Sequence, residues 1–174
     1  YKKDAAHLAV LLSGSLAHGF AGPDSDIDLI LVVEEAEYQK RKSERKLAFS
    51  IWELCDYPGG YIDCKVASIE LLRMVAARGS DPARYAYQGN KILFSRYAGL
   101  DQLLAEIVRF PVAEQASRRQ RFAAQLLAWK WYYSQAVEKQ NRYLLYLSIQ
   151  KIVLFSCRLV LNENQMLYPY HKWL

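Results

Sequence analysis

The stretch Gly14-Ser15-Leu16-Ala17-His18-Gly19-Phe20-Ala21-Gly22-Pro23-Asp24-Ser25-Asp26-Ile27-Asp28-Leu29 decides how the chain folds. It joins two short apolar runs, 8–13 and 27–33, each Leu-rich or β-branched and bounded by Gly, Pro or Asp, the pattern of buried strands. On the second strand Asp26 and Asp28 point to one face with Cα atoms about 6.6 Å apart, while Ile27 and Leu29 point the other way into apolar packing. Two carboxylates on one face repel each other unless a cation lies between them, and a hard divalent ion such as Mg²⁺ suits oxygen ligands. Upstream, Gly14-Ser15 closes the first strand and opens a helix at Leu16, where backbone N–H groups point outward and bind anions. Gly14 permits close approach of a phosphate, and the Ser15 hydroxyl donates one more bond. Triphosphate-binding N–H groups beside a metal-holding carboxylate pair are apparatus for phosphoryl or nucleotidyl transfer.

Two carboxylates alone hold two metal ions poorly, so a third acid is expected. Asp63, in Tyr61-Ile62-Asp63-Cys64-Lys65-Val66, is a carboxylate on a short apolar strand, an expensive place for a charge without a purpose. If that strand lies beside 27–33, the three carboxylates converge. Asp63 then completes the metal site or acts as general base on an acceptor hydroxyl; the alternative is a surface Asp paired with Lys65.

Outward from this stretch, residues 34–46 are highly charged and read as a surface helix or loop. Residues 48–66 hold a pair of strands about the turn Tyr57-Pro58-Gly59-Gly60, with 61–66 as the second member. Residues 68–78 carry helical spacing in Ile69, Leu72 and Val75 and stop at Gly79, and 91–95 form a last short strand. From Leu100 the period becomes helical. Leu103, Leu104, Ile107 and Val108 mark a short helix before Pro111, and Phe122, Leu126, Trp129, Tyr133 and Val137 trace one face of a longer one. A third helix, about 143–161, is apolar on most sides and is expected at the centre of the second domain's packing. The boundary falls near 97–100.

Composition narrows the class. The chain has 174 residues, 52% hydrophobic and 24% charged, which excludes disorder. The longest apolar runs, 27–33 and 152–157, fall short of the roughly 20 residues that span a bilayer, and no early basic-then-apolar segment marks export, so a cytoplasmic protein without membrane partners is expected. Three cysteines without CxxC spacing argue against a disulfide framework, and three scattered histidines give a zinc site no support. The net charge of +5 lies in the second half, where residues 98–174 carry 10 Lys and Arg against 5 Asp and Glu. That surplus permits nucleic-acid binding without indicating it.

The ordered set Gly14-Ser15, Asp26-Ile27-Asp28 and Asp63 resembles the nucleotidyltransferase superfamily that includes DNA polymerase beta, poly(A) polymerases and antibiotic nucleotidyltransferases. The resemblance covers roughly residues 8–97, and the short strand 91–95 after the helix following the third acid looks like the small aminoglycoside and lincosamide members. It implies an α+β fold, a small mixed sheet with packed helices, followed by a helical bundle. Residues 1–97 would be the catalytic domain and 98–174 a helical domain contributing to the acceptor site. It further implies transfer of a nucleoside monophosphate from a nucleoside triphosphate to a hydroxyl with two Mg²⁺ ions. Asp26, Asp28 and Asp63 would be catalytic and metal-binding, and Gly14, Ser15, His18 and Ser25 would bind nucleotide phosphates. His18 stands where many small members have Arg.

In the second domain, Trp129 to Tyr133 form an aromatic cluster too wide for one helical face, so part of it lines a cleft or packs a further neighbour. In the tail, Lys172 can reach a triphosphate and Tyr170 can stack on a base, or the tail simply docks on the helices. Glu138 is a candidate second base. The basic balance argues against a cationic aminoglycoside as acceptor. Rival readings are an antitoxin-type binding protein of the same fold and an RNA-end transferase. Homodimerisation is compatible with the resemblance.

Overall fold

The computed structural model describes residues 4–169 and 171–174; Tyr170 and the side chain of Lys172, both singled out above, lie outside the described residues. The chain divides into two compact units at Arg109/Phe110. The first contains β1 (His7–Leu12), α1 (Gly14–His18), β2 (Ile27–Val33), α2 (Glu35–Ser43), β3 (Ala48–Ile51), β4 (Ile62–Ser68), α3 (Ile69–Arg78), α4 (Asp81–Tyr85), β5 (Lys91–Ser95) and α5 (Leu100–Ile107). Its five strands run in the order β3-β4-β2-β1-β5. β2 and β4 are parallel and the other pairs antiparallel, so the expected mixed sheet is present.

Strand alternation sorts the first unit's core into two layers. Ala9, Leu11, Ile30, Val32 and Ala67 face α3 and α5, which contribute Ile69, Leu72, Val75, Leu100, Leu104 and Ile107. Leu31, Val33, Cys64 and Val66 face the opposite side with Tyr38 of α2 and Phe49 of β3. Burial there pushes the Cys64 thiol up to about 11, leaving it protonated at neutral pH. By the same parity, Asp28, Asp63 and Lys65 stand on the first face, at the end of the β2 and β4 strands where apolar packing stops.

Helix boundaries follow local chemistry. Ser68 caps α3 by accepting from the Leu71 N–H at 3.2 Å, and Gly79 closes it. The 100–107 helix, expected in the helical domain, instead packs on α3 within the first unit; its apolar stripe of Leu100, Leu103, Leu104 and Ile107 is what the sheet's first face needs as cover. Arg84 of α4, buried, ties these pieces together. Its Nε donates to Gly79 O at 3.0 Å, Nη2 to Ala76 O at 2.7 Å and Nη1 to Ile107 O at 3.1 Å. One guanidinium thus satisfies orphan carbonyls at the ends of both α3 and α5.

The second unit is built on α6 (Gln115–Glu138) and α7 (Arg142–Glu163), preceded by a 3₁₀ turn, Val112–Glu114. Asn141 caps α7 through Leu144 N–H at 3.0 Å. Gln115 and Asn162 exchange hydrogen bonds at 2.9 and 3.1 Å, joining the start of α6 to the end of α7 in an antiparallel hairpin. Phe122 meets Phe155 at 6.4 Å between centroids, and the Arg158 guanidinium lies over Phe122 and Tyr168. The expectation that α7 is central to its packing is not met: of its residues only Ser148 and Asn162 are fully buried, and Tyr143, Tyr146, Ile149, Val153 and Val160 are exposed. One neighbouring helix covers one stripe, and α7 is apolar on more than one. By length and composition α7 is the single helix, among the described residues, that matches a membrane span; isolated polar residues had broken its apolar runs in the sequence count.

Replacing Arg84 by Met leaves three buried carbonyls without their donor. The variant is expected to lose about 3 kcal/mol or more of stability, seen in a circular-dichroism melt as a fall of roughly 10 °C; an unchanged melt would contradict the role given to this side chain.

Candidate active site

The site begins where β1 gives way to α1. Ser13 N–H donates to the backbone oxygen of Asp28 at 2.9 Å, which fixes the loop against the start of β2. Gly14 follows with φ +64, and a Cβ there would overlap the Asp28 carboxylate at Oδ2 and Cγ. Glycine is therefore required twice, by backbone conformation and by the approach of the carboxylate. Ser15 is buried, and its hydroxyl has no hydrogen-bond partner.

Across the parallel pair, Asp28 and Asp63 are register partners. Lys65 Nζ lies 3.8 Å from Asp28 Oδ1 and 3.4 Å from Asp63 Oδ2, with the carboxylates 19% and 28% exposed and the lysine 61%. A cation is already shared between the two acids, so the pairing of Asp63 with Lys65 and its place in an acidic pair are both present.

Asp26 precedes β2 and is held differently. Its carboxylate accepts a hydrogen bond from the Tyr61 phenol; that bond, the Asp26 charge, burial, and the charges of Asp63 and Asp28 push the phenol's pKa up, keeping it a donor. Tyr61 stacks on the exposed Trp52 at 4.5 Å and 25°. Tyr57 donates to Ser25 O at 2.8 Å. Ser25 itself accepts from Gly22 N–H at 2.9 Å, closing the turn before Asp26, so its hydroxyl has a structural partner. Among the described residues, no three His, Cys, Asp or Glu side chains are gathered closely enough to hold a metal ion; Asp28 and Asp63 are register partners, and Asp26 bonds the Tyr61 phenol, which also feels the charges of Asp63 and Asp28.

His18, at the end of α1, lies between aromatic rings, 5.0 Å from Tyr85 at 6° and 6.3 Å from Phe20 at 14°. Desolvation lowers its pKa, so the ring is neutral near pH 7 and offers a phosphate no charge. Glu138 is exposed near the end of α6, accepting from Gln135 at 3.3 Å. Beside Asp28 a cleft of about 270 Å³ is lined by Ser13, Ile30, Lys65, Leu71 and Tyr87, among others. Burial raises the Tyr87 phenol to about 12. Tyr61, Trp52 and Tyr87 were not anticipated. The two-residue period of Tyr61, Asp63 and Lys65 was the available signal for Tyr61, since it sets all three on one face.

Residues 2–71 match the family model of the nucleotidyltransferase domain. No curated protein matches the chain. A nucleotidyltransferase-like protein from Exiguobacterium sibiricum 255-15 shares the fold, with a TM-score of 0.56 at 14% identity over 99% of this chain. The chain spans 57% of that protein's length. The family match lies within the first unit and covers less than half of the chain, so what it shows is a nucleotidyltransferase domain over those residues.

Nucleotidyltransferase domains generally use divalent metals, and the residues here suit one. The donors are hard carboxylate oxygens, and the Lys65 ammonium that now lies between Asp28 and Asp63 is the cation a metal ion would displace.

Gly14→Ala would force the Asp28 carboxylate aside. The substitution is expected to weaken binding of a nucleoside triphosphate with Mg²⁺ by about tenfold or more, since backbone strain there costs of order 1–3 kcal/mol. Titration calorimetry checks this, and unchanged affinity would contradict the apposition.

Proposed function

We propose that this chain moves a nucleoside monophosphate from a nucleoside triphosphate to a hydroxyl of a small-molecule acceptor and releases pyrophosphate, with Mg²⁺ as cofactor. The observation that carries the reading is the apposition of Gly14 and the Asp28 carboxylate beside the unpartnered Ser15 hydroxyl. In this reading the Ser15 hydroxyl donates to a phosphate oxygen and the Asp28 carboxylate binds metal, the loop that carries one being held to the strand that carries the other.

In this reading Gly14 and Ser15 bind the phosphates, and Asp26 and Asp28 hold Mg²⁺, with Asp63 as third ligand or as base. Mg²⁺, when bound, supplies charge neutralisation on the triphosphate. The acceptor oxygen bonds to the α-phosphorus, the α–β P–O bond breaks, and pyrophosphate leaves with the electron pair. The hydroxyl proton passes to a carboxylate, for which Asp63 is suited by its place on the same face as Asp28. Ser25 supports the turn that presents Asp26, and His18 contributes an uncharged ring to the end of α1.

The acceptor is assigned to the helical unit by the resemblance. Its balance of 9 Lys and Arg to 3 Asp and Glu over 110–174 favours a neutral or anionic hydroxylated molecule over a polycation.

Asp26→Ala and Asp28→Ala are each expected to lower pyrophosphate release, measured with triphosphate, Mg²⁺ and a panel of hydroxylated acceptors, by roughly 10²–10³-fold or more. Melting should be unaffected, since neither side chain belongs to the apolar core. Substantial turnover by either folded variant would refute the assignment.

A further inference from the structure

The strand registers bring the end of β1, the starts of β2 and β4 and the end of β3 to one end of the sheet. Strand order then sets Gly14, Asp28, Asp63 and Trp52 there in succession. Trp52 directly follows β3 and stands opposite Tyr61, which directly precedes β4. The two rings stack at 4.5 Å and 25°, yet Trp52 remains 58% exposed, as does Leu54 of the same loop at 69%. One face of the indole is covered by a ring of the chain itself, and the residue still presents most of its surface to solvent. Resting on the reading above, we propose that Trp52 is the platform on which the acceptor stacks, so that the acceptor is a hydroxylated molecule with a flat aromatic ring close to its reacting hydroxyl.

The platform is tied to the site on both flanks of Asp26. Ile27 N–H donates to the Tyr61 carbonyl at 3.0 Å, and the Tyr57 phenol donates to the Ser25 carbonyl at 2.8 Å. The Tyr57 ring fills the space that a β-carbon on Gly60 would take, which closes the turn tightly before Tyr61. The Tyr61 phenol bonds the Asp26 carboxylate and feels the charges of Asp63 and Asp28, so the ring that supports Trp52 is set by the acids themselves. The direction of attack then selects the occupant. Entering and leaving oxygens lie roughly in line on opposite sides of the phosphorus. With the leaving pyrophosphate at Gly14 and Ser15, on the β1 side of Asp28, the acceptor enters from the side of β4 and β3. There Ser50 is the register partner of Asp63, and Trp52 lies two residues farther, about 7 Å along the strand. A ring stacked on Trp52 therefore brings a hydroxyl that it carries, directly or through a short stem, toward the Asp63 carboxylate that takes its proton.

The test follows the indole N–H signals of the four tryptophans by nitrogen–proton correlation NMR on the whole chain, each signal assigned by replacing its Trp with Phe. A non-hydrolysable ATP analogue with Mg²⁺ is added first, then tyrosol as the ring probe or butanediol as its ring-free control. Tyrosol should shift the Trp52 signal of the analogue-bound chain, and butanediol should not. Trp52→Ala should weaken tyrosol binding by about tenfold or more, the worth of one stacked ring, and Trp52→Phe should retain most of it, while both variants bind the analogue as wild type does. Because Trp52 is exposed, both are expected to fold, and a melt verifies it. Loss of analogue binding by folded Trp52→Ala would give the platform to the nucleobase, and a Trp52 signal unmoved by tyrosol would deny it an acceptor ring. Either result overturns the proposal and leaves the transferase reading in place. Failure of the wild-type chain to bind the analogue with Mg²⁺ would overturn that reading and this proposal together.

Discussion

A glycine without room for a β-carbon governs this molecule. The Asp28 carboxylate occupies the volume that any side chain at position 14 would take, and Ser13 is hydrogen-bonded to the backbone of the same aspartate. The first loop and the second strand are therefore one structural element with respect to the site. The sheet exists on either side of that junction: β1 and β2 pair antiparallel, and β4 joins in parallel to bring Asp63 level with Asp28. The apolar layer beneath, with Leu11, Ile30, Val32 and Leu72, keeps the strand ends rigid enough for a carboxylate position to be defined.

Much of this was legible in the sequence because period and punctuation act locally. The runs about Leu11 and Leu31, the Gly14-Ser15 break and the two-residue spacing of Asp26 and Asp28 each have one economical reading, and the mixed sheet follows from them. What escaped was decided by contacts distant in sequence. The hold of Tyr61 on Asp26 depends on where the loop after β3 lands, and spacing alone does not tell which phenol a carboxylate meets. The ring stack around His18 depends on Tyr85, from a short helix that sequence reading did not anticipate. The helix α5 was assigned by its period to the helical half, although its apolar face completes the sheet's core.

The helical unit illustrates the same limit from the other direction. Apolar residues on most sides of α7 suggested a buried helix, yet period reports which faces are apolar and not how many neighbours cover them. With α6 as its packing partner, α7 buries one stripe and leaves Tyr143, Tyr146 and Val160 exposed. The aromatic cluster on α6 behaves likewise: Trp129 and Trp131 both contact Tyr132, and Trp131 remains exposed. The charge asymmetry of the chain is thus carried on helices that also present apolar surface, while the carboxylates proposed for chemistry lie in the charge-balanced first unit.

The central claim is that the Gly14 loop and the aspartates act as one joint site for metal and triphosphate. It is tested most directly by titration calorimetry of the four nucleoside triphosphates, with and without Mg²⁺, on the wild-type chain and on an Asp26→Asn, Asp28→Asn double variant. The account predicts binding that requires both the metal and the aspartates. Binding of equal strength without Mg²⁺ or by the double variant, or no binding under any condition, would contradict it.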